Sequence, residues 1–436
     1  MARTNQTNTA TEPAGPAPCD IADPGLAEAG EARIGWARRA MPVLGLIGER
    51  FAAEQPLAGL AIAACLHVTA ETAVLIGVLR TGGARVSLAA SNPLSTQDDT
   101  AAALAADGGV GVFARAGVDR ETYYAHIASA LSHAPDLVVD DGGDLVNTLH
   151  AERPDLLAAV RGGCESTTTG VIRLRRMAAS GALAFPVVAA NDTPTRRMVD
   201  NTCGTGQSVL DGILRATNTL VAGKTVVVAG FGACGQGIAS RVRGLGGQVI
   251  VTEIDPVRAL DAVLQGFRVL PMAAAARIGE MFVTATGSRD VITAGHMAVM
   301  PDGALLANAG HFDVEIDVRA LGLLADGVNR DVRPHADEYI LGDGRRLLLL
   351  AEGRLVNLVA AEGHPAAVMD VSFGIQALAL AWLAGQTGPE QRASVLDVPG
   401  SIDAEIARLK LASVGTQTDT LTAEQRDYLA SWQQGS

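Results

Sequence analysis

Gly230, Gly232 and Gly235 have the spacing G-x-G-x-x-G, and Glu253 follows 18 residues beyond the third glycine. That spacing suits pyrophosphate binding. The first glycine permits a tight turn, the second lets backbone approach a phosphate, and the third lets a helix pack on a strand. Unpaired N–H groups at the helix start then face the phosphates. A carboxylate at Glu253 can bind both ribose hydroxyls and repels a 2′-phosphate, so the pattern favours NAD over NADP. Three further groups carry chemistry: His67, the acidic turn Asp140-Asp-Gly-Gly-Asp144, and the run Thr167, Thr168, Thr169. By composition Asp140, Asp141 and Asp144 suit a hard cation. The preferred reading is a turn plus one substrate-directed carboxylate, with no metal.

Strands must present these groups. Thr225–Val228 is β-branched and runs into the glycines, a helix follows near Ile238, and Gln248–Glu253 reads as a second strand. This strand–turn–helix–strand order is the context the glycine motif needs. Upstream, Leu60–Leu66, Arg85–Ala89, Gly111–Ala114 and Asp136–Asp140 read as buried strands. Their carboxyl ends carry His67, Ser91–Asp98 and Asp140–Asp144, where open parallel sheets bind ligands. Leu183–Asn191 reads as another strand, and Arg268–Leu270, Met281–Thr284, Ala304–Asn308 and Arg346–Leu350 as later ones. Helical spacing spans Ala27–Phe51, Thr72–Leu79, the stretch from Gly206, Leu358–Gly385 and Leu421–Leu429. The expected class is α/β, with two doubly wound parallel-sheet domains joined by a hinge. The expected division is a disordered tail at 1–25, a substrate domain at 26–200 completed by 363–400, a Rossmann NAD domain at 201–362, and a C-terminal extension at 401–436.

The 436 residues are 48% hydrophobic and 3% aromatic with net charge −13. That charge argues against nucleic acid or an acidic membrane surface as partner. Five cysteines form no CxxC pair, which points to reduced thiols in a cytoplasm. No uninterrupted apolar run approaches 18 residues, so no membrane span is expected.

Many ordered blocks together resemble the S-adenosylhomocysteine hydrolase family, from about Ile34 to about Leu429. They are Leu66–Thr72, Asn92–Asp98, Asp140–Asp144, Thr167–Gly170, Phe185-Pro186, Asp200-Asn201, Gly230–Gly237, Thr252–Pro256, Gly310–Asp313, Ala351–Asn357 and Gly363–Pro365. The resemblance implies a cycle in which tightly held NAD oxidises a nucleoside 3′-hydroxyl. The ketone acidifies the C4′ proton, the 5′ substituent leaves, water adds, and the ketone is reduced again. It implies a homotetramer acting on an adenine nucleoside. It also implies roles by position. Thr69, Glu71 and His364 would hold adenine, with Met369 beside them. His67 and Asp141 would serve as acid/base groups near C5′. Asp200 and Asn201 would face the 3′-hydroxyl and C4′, and His311 would lie beside sugar and nicotinamide. Thr167, Thr168, Thr169, Asn201, Glu253 and Asn357 would contact NAD.

The sequence also departs from the family's pattern around the sugar. Arg196 stands where the family has a lysine, and a guanidinium is a poor base. Ser166 replaces a sugar-binding glutamate, and Thr205 a cysteine near the nicotinamide. The family's basic, tyrosine-bearing tail has no counterpart in Tyr428–Ser436. Such departures resemble diverged members in nucleoside-antibiotic pathways, including an angustmycin-type dehydratase. They lead to an expectation of a nucleoside dehydratase, with the plain hydrolase as the alternative.

Overall fold

The computed structural model describes residues 17–386 and 393–433. Residues 1–16 of the expected tail lie outside that range. Residues 17–25 do not continue the tail: Cys19–Ile21 is a strand (β1), which pairs in parallel with the sheet edge.

The first half of the chain supplies β2 (Ala61–Leu66), β3 (Arg85–Ala90), β4 (Val110–Ala114), β5 (Leu137–Asp140), β6 (Gly162–Glu165) and β7 (Val187–Ala189). The second supplies β8 (Thr225–Ala229), β9 (Gln248–Thr252), β10 (Arg268–Val269), β11 (Met281–Thr284), β12 (Ala304–Asn308), β13 (Ala325–Arg333), β14 (Ala336–Leu341) and β15 (Arg346–Leu350), and β16 (Val395–Asp397) returns to the first sheet. Two eight-stranded sheets result, ordered β1-β4-β3-β2-β5-β6-β7-β16 and β10-β9-β8-β11-β12-β15-β14-β13. Within each, six parallel strands follow the doubly wound order 3-2-1-4-5-6, which reverses direction beside its first strand. Those reversal points lie between β2 and β5 and between β8 and β11.

Alternation along the strands builds two layers per sheet. Ile62, Ala64 and Leu66 of β2 enter one apolar cluster, while Ala63 and Cys65 enter the opposite one. In β8, Val226 and Val228 face one layer and Val227 the other. The helix Ala366–Gly385 is long and apolar enough to cross a membrane by length and composition, but 67% of its most apolar window is buried. Its Asp370 is fully buried and accepts N–H bonds from Val43 and Leu44, as a core helix requires.

Several boundaries differ from expectation for local reasons. The helix expected over Ala27–Phe51 breaks into Ala27–Arg39 and Pro42–Glu54, because Pro42 cannot continue the first helix and starts the second. Leu358–Gly385 breaks likewise at Gly363-His-Pro365, leaving Val356–Val359 and Ala366–Gly385. Strand β6 was not expected, since its Gly162-Gly163 has no strand propensity. A Cβ on Gly163 would lie 2.6 Å from Val138, so glycine lets β5 and β6 pack closely. The β13–β14 hairpin was also missed: β13 is an edge strand of charged, mostly exposed residues without alternation.

Candidate active site

At the first reversal point, β2 ends into His67 and β5 ends into Asp141. Nε2 of His67 lies 3.7 Å from Oδ2 of Asp141, and Nδ1 lies 2.6 Å from Oγ of Ser95. From the second half of the chain, His311 reaches the same turn: a Cβ on Gly142 would lie 3.7 Å from its Nε2. Burial pushes the His311 imidazole below its ordinary range, against the pull of Asp141. His67, Asp141 and His311 thus form one cluster of imidazoles and a carboxylate assembled from both sheets.

Asp140 lies beneath this turn, fully buried, and is pushed up to about 7 by burial and by the neighbouring carboxylates. Its partner Glu165, which the sequence reading did not single out, is also fully buried and raised by burial. Oε1 of Glu165 accepts N–H bonds from Gly142 at 2.9 Å and Thr167 at 2.8 Å. One carboxyl oxygen therefore ties the Asp141 turn to the threonine run. A Cβ on Gly170 would strike the Glu165 carboxyl, so glycine is required there. Asp144 bonds Arg173 and Tyr123 and so braces the turn. No group of three or more His, Cys, Asp or Glu side chains is arranged for a metal ion among the described residues.

Thr167 caps the helix Thr168–Ala179 through Oγ1, which accepts from the N–H groups of Thr169 and Gly170. Thr168 Oγ1 accepts a 2.8 Å bond from Asn191 Nδ2. Thr168 itself is exposed toward solvent and Thr169 half-buried, so both remain available to a ligand at the helix start.

The chain then crosses to the second sheet through a π-helix, Arg197–Gly204, where the Thr205 N–H bonds the Asp200 carbonyl five residues back. Such widened turns occur mostly at functional sites. Asp200 and Asn201 lie on it. Oδ2 of Asp200 accepts a 2.5 Å bond from Ser372 and lies 3.4 Å from Nε of Arg196; Oδ1 lies 3.4 Å from Nδ1 of His364. Burial pushes the Asp200 carboxyl up, but Arg196, His364 and Ser372 together hold it below its usual value. The other ring nitrogen of His364 is 3.2 Å from Oγ1 of Thr205. Both nitrogens of His364 thus face this row. Ser372 is a contact the sequence hid inside an apolar helix; a polar residue on a fully buried stretch was its one signal.

On the adenine-assigned side, Glu71 opens the helix Ala70–Thr81 with Thr69 just before it. Burial raises the Glu71 carboxyl, partly offset by the Thr69 hydroxyl. Glu362, two residues from His364, also acts on Glu71, so this wall adjoins the His364 loop. Met369 is half-buried and packs against the first core.

The second reversal point holds the glycine turn. Gly230 has φ +93°, and a Cβ there would lie 2.8 Å from the Ala285 carbonyl of the strand across the reversal. A Cβ on Gly235 would collide with the Gly230 carbonyl. Gly232 differs: a Cβ there would meet only Arg258, at 3.7 Å, so its open side is a cradle. Glu253 is pinned at the end of β9 by N–H bonds from Phe231 and Ile254 at 2.7 Å and Asp255 at 3.0 Å. Asn357 holds Ser208 through Nδ2 while its buried Oδ1 has no partner. Nδ2 of Asn201 lies 3.6 Å from Cys234 on the helix that starts at Gly232, and its buried Oδ1 also lacks a partner. An open phosphate cradle, a fixed acid and two unpaired amide oxygens fit a dinucleotide.

Two doubly wound sheets, one ending in a dinucleotide cradle and the other in paired carboxylates and imidazoles, define a two-domain nicotinamide-dependent enzyme. Models of "S-adenosyl-L-homocysteine hydrolase, NAD binding domain" and "S-adenosyl-L-homocysteine hydrolase" match residues 201–363 and 18–155. The chain is 56% identical to an adenosylhomocysteinase of Aquifex aeolicus over 417 residues, covering 96% of this chain and 99% of that one. It is 54% identical to an adenosylhomocysteinase of Thermosynechococcus vestitus, covering 96% and 97%. It is 52% identical to an S-inosyl-L-homocysteine hydrolase of Methanopyrus kandleri, covering 95% and 98%. The chain belongs to the S-adenosyl-L-homocysteine hydrolase family, and its cofactor is NAD. The comparisons favour the hydrolase alternative over the dehydratase expected from the departures.

Proposed function

We propose that this enzyme hydrolyses an S-nucleosyl-homocysteine, with adenine as the base. One observation supports a nucleoside in this crevice most strongly: buried polar atoms without partners gather around it. They are Ser91 Oγ, Ser166 Oγ, Arg196 Nη1, Asn201 Oδ1 and Asn357 Oδ1. Buried polar groups are rarely left unpaired, and a guanidinium least of all, so a ligand rich in oxygen is called for. When bound, NAD supplies a two-electron acceptor for a sugar hydroxyl and returns the electrons at the end of the cycle.

The chain's own residues do the rest. Arg196 holds the developing oxygen charge after C4′ deprotonation, because its guanidinium stays protonated. Asp200 faces C4′ and the 3′-position. His67, paired with Asp141, protonates the departing 5′ group and then activates water. His311, kept neutral by burial, closes the crevice over the sugar. Thr69 and Glu71 accept from the exocyclic amine of adenine.

A second reading is loss of water from an adenine nucleoside with an altered sugar. Ser166, whose hydroxyl is buried and unpaired, favours it, since a small neutral residue in place of a glutamate leaves room on the sugar. Mass spectrometry of products decides between them, using S-adenosylhomocysteine, S-inosylhomocysteine and free adenine nucleosides. Homocysteine release at ordinary enzymatic rates supports the hydrolase. An unsaturated nucleoside 18 mass units lighter than its precursor, with no homocysteine released, supports the dehydratase.

A further inference from the structure

Oxidation of a secondary alcohol removes two electrons with the carbon-bound hydrogen, which NAD accepts, and one proton from oxygen, which needs an acceptor in the protein. Arg196, the cation nearest the Asp200 carboxylate, cannot take that proton. The structure offers another route. Oδ2 of Asp200 is engaged by Ser372 and Arg196, leaving Oδ1 for Nδ1–H of His364 at 3.4 Å. A proton on Nδ1, facing the Asp200 carboxylate, leaves Nε2 to accept from the Thr205 hydroxyl at 3.2 Å. Thr205 Oγ1 in turn lies 3.7 Å from Sγ of Cys234, two residues past Gly232. The row therefore ends in a hydroxyl that faces the helix following the glycine turn.

We propose that Asp200, His364 and Thr205 form a proton-acceptor row for the sugar hydroxyl: Thr205 takes the hydroxyl proton while passing its own to Nε2 of His364. Asp200 then stabilises the imidazolium, and the proton returns along the same row when the ketone is reduced. The arrangement is that of an acid–imidazole–hydroxyl triad, recognised by geometry and role. The hydroxyl here relays a proton and attacks nothing. The charged or titratable groups facing His364 are Asp200 directly, Arg196 through Asp200, and Cys234 across Thr205. His364 thereby acquires a role in proton transfer in addition to any contact with the base.

This inference rests on the proposed oxidation step, and two measurements separate their failures. The first is the rate of single-turnover cofactor reduction at 340 nm with adenosine. The second is the nitrogen-15 resonance of His364, assigned with His364→Gln, in the resting protein. Wild type should reduce its cofactor rapidly and show an Nδ1–H tautomer. Thr205→Val should slow reduction by ~10²-fold or more while leaving the dissociation constants of NAD and adenosine within twofold, and Thr205→Ser should restore most of the rate. His364→Gln should slow reduction to the level of Thr205→Val. Thr205→Val reducing the cofactor at the wild-type rate, or an Nε2–H tautomer of His364, overturns the row. Absence of any 340 nm signal in wild type with every nucleoside tested overturns the oxidation step instead, and the tautomer then decides the row by itself.

Discussion

Replacing Arg196 by methionine tests the electrostatics of the site. Arg196 and Asp200 are almost fully buried and lie 3.4 Å apart. At an effective dielectric of about 20, unit charges at that distance attract by about 5 kcal/mol before desolvation is counted. Removing one partner of a buried pair leaves the other uncompensated and typically costs about 3–5 kcal/mol. Methionine also removes Nη1, an unpaired buried donor whose presence costs about 1–3 kcal/mol. The expected net loss of stability is therefore about 1–3 kcal/mol, read as a lower urea midpoint with an unchanged slope. Asp200 should respond too. Burial raises its carboxyl, and Arg196 is the largest of the influences that lower it. A depressed folded-state value contributes stability above the unfolded value of about 3.9, which is lost as pH falls through the folded value. In Arg196→Met the folded value rises, that contribution disappears, and the rate profile gains an acid limb from Asp200. Turnover should fall ~10²–10³-fold through loss of the donor that holds the developing oxygen charge. Arg196→Lys keeps the charge but, being able to lose its proton when desolvated, should add a limb of its own. A methionine variant with the wild-type midpoint and an unaltered pH profile would refute this account.

Other outcomes follow from the same contacts. Gly232→Val should leave the urea midpoint within error, because the space beyond Gly232 is open, yet weaken NAD about tenfold or more by calorimetry. Gly235→Ala, whose Cβ strikes the Gly230 carbonyl, should instead lower the midpoint. His67→Asn should permit C4′ exchange with deuterated solvent while slowing loss of the 5′ group ~10²–10⁴-fold, and equal loss of both would move His67 out of that role. Glu71→Gln should raise KM for an adenine substrate about tenfold and lower it for a hypoxanthine one, since an amide can donate to the 6-oxo group. Because burial raises the Glu71 carboxyl, binding of adenine should weaken as pH falls into that raised range, and a flat binding profile would remove Glu71 from the base pocket.

Positions at the ends of apolar runs were legible in the sequence. His67 and Asp141 follow β2 and β5 directly, and a strand that stops marks where its next residue points. Gly230, Gly232 and Gly235 were legible because each answers a different steric demand of one turn. Contacts between distant segments were not. Asp200 meets Ser372 across 172 residues, and Thr205 meets His364 across 159, and nothing local in either segment announces a partner. Glu165 escaped notice because its strand begins Gly162-Gly163, a pair that suppresses the strand signal the acid terminates. The hairpin of β13 and β14 was missed because an exposed edge strand carries charges where alternation would be read.

The site divides its proton chemistry between two places, and the fold explains why. Elimination next to a ketone needs an acid at the leaving group and an acceptor at the oxidised oxygen. The two protons move at different positions of the sugar, so each needs a group within its own reach. His67 with Asp141 and His311 stands at the reversal point of the first sheet. The Asp200–His364–Thr205 row stands on the π-helix that leads to the second, beside the glycine cradle. No hydrogen bond joins the two groups among the described residues. Glu165 keeps the first of them in register with the threonine run. It fixes the Asp141 turn and the threonine run from one buried oxygen, and any tilt of that strand would move the acid and the cofactor-facing helix together. A rigid spacing set by a doubly wound sheet thus does for the 5′ and 3′ ends of a sugar what a single flexible loop could not.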